Sequence, residues 1–171
     1  MLLEERDPLG WVLKALREAG NSLMREFAGV DEDALCRRPN EDDLSLKEIA
    51  CHLRDAEELA ALQIVSIVEE PLGFVPHWDV DVLVLERNYR AAEMHRTLIE
   101  FRNLRGDNVR ILWGLSEREW RQPVKHPYRK EITLETIARE LAQHDLEHLW
   151  QIQRQKAELG LVHSASEDDW G

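Results

Sequence analysis

The sequence predicts an all-α fold, a four-helix bundle with long interior connections, on three observations. Four long segments repeat apolar residues every three or four positions, helix start and stop residues bracket them, and no two stretches make a convincing strand pair. Amphipathic helices must bury their apolar stripes against one another, and four of them do so as a bundle.

Helix one opens at Asp7-Pro8, where Asp caps free amides and Pro fits the first helical position. It carries Leu9, Leu13, Leu16, Leu23 and Phe27, and Gly29 ends it. Asp31 to Asp43 is acidic, contains Pro39, and reads as a short helical turn followed by a loop. Helix two begins at Ser45, with Glu48 three residues on in the capping-box pattern. Its stripe runs Leu46, Ile49, Leu53, Ala56, Ala60, Ile64, Ile67, and it ends near Glu70-Pro71.

From Pro71 to about Asn88, Pro71, Gly73 and Pro76 precede the alternating run WDVDVLVL, which predicts an extended or irregular crossover. Helix three spans Tyr89 to Leu115, with Gly106 as a weak point. Ser116 caps a single turn, SEREW, and an extended piece around Pro123 and Pro127 leads to Thr133. Helix four then runs from Leu134 to Leu159 and stops at Gly160. Residues 1–171 are expected to form one domain, frayed after about His163.

A net charge of −12 repels phosphate backbones and anionic lipid surfaces, so neither nucleic acid nor a membrane is an expected partner. MLLEERDPLG turns acidic before a signal peptide can form, and no 18 apolar residues run uninterrupted, so a cytoplasmic location is expected. Cys36 and Cys51 match no CxxC or secreted framework and read as reduced, packed thiols.

The chemistry lies on helix four, whose core stripe reads Leu134, Ile137, Leu141, His144, His148, Ile152. Two imidazoles stand where aliphatic side chains belong, and a buried ring nitrogen left unpaired costs about 1–3 kcal/mol. Residues four apart lie one above the other, so the two rings can converge on one ion. The structural alternative is two core histidines bonded to carbonyls or carboxylates. His52, flanking the stripe of helix two, supplies a third inward ring. Three nitrogens from two helices leave coordination positions open, as metal chemistry requires, and suit zinc or nickel, with iron or manganese also compatible. An imidazole binds metal only when neutral, so affinity is expected to fall as pH drops through about 6. His77, His95, His126 and His163 read as solvent-exposed, with His126 the one that can line a site mouth.

These residues resemble the DinB/YfiT-like family of metalloenzymes, four-helix bundles with a three-histidine metal site. The resemblance spans nearly the whole chain and rests on LSLKEIACHLRDAEE around His52, on FRNLR and LWGLSEREWRQPVKHP, and on ITLETIARELAQHDLEHLWQIQR around His144 and His148. His52, His144 and His148 match the family's expected metal ligands. Where many relatives have a glycine shortly before the Thr133 position, this chain reads YRKEIT.

The resemblance implies a metal-dependent transferase that couples a low-molecular-weight thiol, such as bacillithiol or mycothiol, to a small electrophile. The alternatives are a metal-dependent hydrolase and a non-catalytic, metal-binding stress-response protein. Arg102 and Gln151 match recurring positions and are expected to meet an anionic thiol or substrate. Asp55, one turn after His52, and Asp145, beside His144, are expected to orient ligand rings through their second nitrogens. Trp150 and the resemblance point to a homodimer.

Overall fold

The computed structural model describes residues 7–161, so the tail beyond His163 lies outside the described residues. The first long helix, α1, spans Pro8–Phe27, with the Asp7 carboxylate accepting from Gly10 N at 2.9 Å. Gly29 follows at φ +73°, a left-handed conformation in which a Cβ is strained. A single turn, α2 (Glu32–Cys36), is capped by Asp31. The long α3 (Leu46–Glu69) starts at Ser45, whose hydroxyl accepts from Glu48 N. The Glu48 carboxylate turns away to Arg38, so only half of the expected capping box forms there. A complete box closes between Ser116 and Glu119 at the start of α6 (Glu117–Arg121).

Three elements differ from expectation. The WDVDVLVL run forms a helix, α4 (Val80–Glu86), capped by Asp79. Apolar residues occupy 80 and 82–85, which satisfies either period, and packed against α3 the segment takes the helical one, half-burying Val80, Leu83 and Val84. The third long helix, α5, covers Met94–Trp113, because the Glu93 carboxylate caps His95 N and Arg96 N, and Tyr89–Ala91 forms a separate 3₁₀ turn. The extended piece before Thr133 folds into an antiparallel pair, β1 (Val124–Lys125) with β2 (Glu131–Ile132). The last helix, α7 (Leu134–Glu158), is capped by Thr133 and followed by Gly160 at φ +72°. Cys51 is buried as expected, whereas Cys36 is exposed, being at the end of a one-turn helix.

Helix α1 packs on α5 and α7, and α3 packs on the same two. Consecutive long helices α1 and α3 therefore lie across a diagonal, as do α5 and α7, and the bundle is not wound simply up and down. No helix among the described residues is long and apolar enough to cross a membrane.

The core has two apolar clusters. One gathers Leu16, Ile64, Leu112, Trp120, Leu134 and Leu141, and the other gathers Leu23, Phe27, Ile49, Phe101 and Ile152. The middle of the bundle between them is polar. There the buried Arg105 on α5 binds Glu57 of α3, Asp145 of α7 and the Leu16 carbonyl of α1 at 2.7–3.1 Å. Asn108 adds a bond to Glu57. One guanidinium thus ties all four long helices together, with its fixed fork of donors matched by acceptors from three directions.

Candidate metal centre

In this polar middle, α3 supplies His52, and α7 supplies His144 and His148 on one face. His144 Nε2 lies 3.0 Å from His52 Nε2 and 3.0 Å from His148 Nε2. The three rings stand with centroids 4.4–5.1 Å apart. His52 is 3% exposed and the other two are half-buried. Burial lowers the pKa of all three, with the charges of neighbouring histidines adding to it at His52 and His144. His144, which also feels Arg105, is held at about 3. All three rings are therefore neutral at physiological pH, the form that binds metal.

The donor set fits a divalent ion. His148 Nδ1 donates to Gln151 Oε1 at 2.8 Å, which leaves its Nε2 as a lone pair aimed at the other two rings. Nδ1 of His52 and of His144 make no hydrogen bond to a described residue, although the backbone of Val80 contacts the His52 ring. Three Nε2 atoms drawn together need positive charge between them, and two nitrogens 3.0 Å apart can both reach an ion at about 2.0–2.1 Å. These side chains form the one group of this kind among the described residues. Asp81 of α4 brings a largely exposed carboxylate within 3.8 Å of His52 Nε2.

The supporting residues fall differently from expectation. Gln151 meets the ligand ring of His148, because on a helix a residue three positions on shares its face. Asp55 is fully buried but reaches no ligand ring: it accepts from Arg87 Nη1 at 2.7 Å and from the Tyr89 hydroxyl. Asp145 pairs with Arg105, because its side chain projects about 100° around α7 from His144. Burial nonetheless raises the Asp145 carboxyl to about 6, against the pull of that guanidinium. Arg102 is exposed and lines a separate groove against α1, a helix that carries none of the three histidines.

Beside the rings lies a cavity of about 250 Å³ that His144 helps to line. Its wall is mostly apolar, from Ala56, Leu59, Ile137 and Leu141, and its polar groups include His77, His126 and Arg129. Expected to be exposed, His126 is only 7% so, because β1 and β2 fold its loop against the bundle. Its Nδ1 accepts from Tyr128 N at 3.1 Å and Arg129 N at 2.9 Å, so its proton sits on Nε2. Burial, then the charges of His77 and Arg129, lower its pKa and keep it neutral. The sequence signal for this pair was two histidines each next to a proline, Pro76-His77 and His126-Pro127, whose ring centroids come within 4.8 Å.

No curated protein matches the chain significantly in sequence. Among solved structures the fold is similar to YfiT from Bacillus subtilis, described as a probable metal-dependent hydrolase with an unusual four-helix bundle topology. The two share 17% sequence identity with a TM-score of 0.81, over 91% of this chain and 89% of that one. The family model of the DinB superfamily matches residues 15–152, and the chain belongs to that superfamily.

Proposed function

We propose that this protein is a metal-dependent enzyme that hydrolyses a small, largely apolar electrophile, with zinc or nickel held by His52, His144 and His148. One observation carries the reading: His144 both converges with the other two rings and lines the adjoining cavity, so a substrate there would lie beside the open positions. A metal bound by these nitrogens supplies a Lewis acid and activates a nucleophile at neutral pH. The description of YfiT from Bacillus subtilis as a probable metal-dependent hydrolase supports the same chemistry.

The chain's own residues bind and orient. Ala56, Leu59, Ile137 and Leu141 exclude water from the apolar body of the substrate. His126, neutral and with its proton on Nε2, is a hydrogen-bond donor suited to a substrate oxygen. Gln151 keeps the His148 ring in the tautomer that a metal needs.

A second reading is transfer of a low-molecular-weight thiol such as bacillithiol or mycothiol. No Ser, Thr or Cys is among the described residues lining the cavity, which suits a nucleophile from outside the chain, whether water or a thiol. The cavity's modest size favours water over a bulky thiol cofactor.

The test begins with elemental analysis of protein purified without an affinity tag, where about one equivalent of transition metal is expected. The metal-loaded protein is then offered a panel of small esters and amides, and separately monochlorobimane with several thiols. Metal-dependent hydrolysis supports the first reading, and thiol-dependent turnover alone replaces it with the second. Bound metal with neither activity leaves the non-catalytic metal-binding protein.

A further inference from the structure

A cavity of about 820 Å³ lies away from the histidines, in a groove between α1 and α5. Arg17, Arg25, Arg102, Arg105 and Arg110 line it, and no Asp, Glu or Lys does. That bias stands out in a chain with 34 acidic and 22 basic residues. Four of these arginines already have partners: Arg17 near Glu18, Arg25 on Ser22, Arg110 on Asp107, and Arg105 in the buried network. Arg102 makes no hydrogen bond or ion pair among the described residues and is exposed at the groove.

The floor is apolar, from Met24, Phe101, Val109 and Trp113, the last 74% exposed. Phe101 is buried beneath the groove, Met24 and Val109 are half-buried, and Trp113 stands open to water at its end. Gly106 lines the groove on α5. It stands in the interior of α5, where glycine costs about 1 kcal/mol relative to alanine. Its φ is not positive, and a Cβ added there would meet nothing within 4 Å, so neither backbone nor packing demands it. What glycine supplies at 106 is open space. Along α5, Arg102, Gly106, Val109 and Trp113 recur on one face over about 16 Å.

We propose that this groove binds an anionic amphiphile, a carboxylate or sulfonate on an extended apolar body. The head group would pair with Arg102 and the body would lie over Gly106 and Val109 towards Trp113. A guanidinium without a partner answers the anion, and the apolar strip along Gly106 answers the body. The site is separate from the histidine cluster and does not depend on the reading of the metal centre.

The test titrates full-length protein with decanoate and with decyltrimethylammonium, both below micelle formation, read by calorimetry and tryptophan fluorescence. Decanoate is expected to bind, and the cation to bind at least about tenfold more weakly. Arg102→Glu should weaken decanoate by about tenfold or more, and Gly106→Leu should abolish binding. Gly106→Ala serves as the folding control: it should raise Tm by about 2–4 °C while weakening decanoate. Trp113→Phe should diminish the fluorescence response and leave calorimetric binding in place. Equal binding of the two amphiphiles, or an Arg102→Glu variant with unchanged affinity, would overturn the proposal. So would a dimer that Arg102→Glu dissociates with no amphiphile bound, which would give the groove to a second copy.

Discussion

Arg105 Nη1 stands 2.8 Å from Asp145 Oδ2, so the carboxylate next to His144 is anchored to α5 and not to any of the three clustered histidine rings. The same guanidinium holds Glu57, and all three side chains are almost wholly buried. Replacing Arg105 with Met leaves two carboxylates in the core without their counter-charge. The expected loss is about 3–5 kcal/mol in urea unfolding. Arg105→Lys should recover only part of it, because an ammonium cannot span Glu57, Asp145 and the Leu16 carbonyl together. An Arg105→Met protein as stable as the parent would remove this network from the account of the fold.

Gln151 orients His148, and its replacement separates ring orientation from stability. Gln151→Leu removes the acceptor for His148 Nδ1 and should weaken metal affinity by about 10–100-fold in competition with a chelator. Gln151→Glu keeps an acceptor and should retain most of the affinity. Equal affinities for Leu and Glu at this position would show that the hydrogen bond does not tune the site.

Asp55 gives the contrasting case. Its partners are Arg54, Arg87 and Tyr89, so Asp55→Asn should lower stability by about 1–3 kcal/mol while leaving the metal content of the folded protein near that of the parent. A folded Asp55→Asn protein stripped of metal would restore this residue to the ligand set's support.

The acid behaviour of the metal-free protein follows from the four lowered histidines. His52, His126, His144 and His148 all have folded-state pKa values below the ordinary histidine value of about 6.5. The folded state then binds fewer protons than the unfolded one. The histidine contribution to stability is full above about pH 6.5 and is lost as pH drops below it, down towards the folded value of about 3 for His144, while the raised Asp145 carboxyl opposes part of that loss as pH falls through about 6. Each ring contributes a slope of at most about 1.4 kcal/mol per pH unit. Denaturant midpoints measured from pH 8 to pH 4 should decline below 6.5, and replacing His144 with Phe should flatten the decline. The neutral rings also mean that metal retention by the folded protein extends below the pH of about 6 expected from unperturbed histidines.

Trp150, 70% exposed, and Leu146, one turn before it, form an apolar strip on the outer face of α7. We propose that this strip is where two copies meet as a homodimer. Sedimentation should give twice the mass of the chain, falling to the single-chain mass for Trp150→Glu. A monomeric parent protein would dismiss the dimer.

The pair His144 and His148 was legible because four-residue spacing on a helix is local geometry: 3.6 residues per turn stack the two rings whatever surrounds them. The ends of α1 and α7 were legible for the same reason, since Asp7-Pro8, Gly29, Thr133 and Gly160 act through their own backbone. The WDVDVLVL segment was not, because its apolar residues satisfy both the helical and the strand period, and only its packing against α3 decided between them.

By itself, then, the sequence determined the four long helices, the three candidate ligands and the excess of negative charge, all of which follow from period, caps and composition. Tertiary structure alone decided that His52 meets His144 across 92 positions, that Asp55 and Asp145 serve arginines, and that His126 is buried beside the cavity. The reason is physical. A side chain's partner depends on which helices adjoin, and in this bundle consecutive long helices sit on diagonals, an arrangement set by the burial of all four stripes at once.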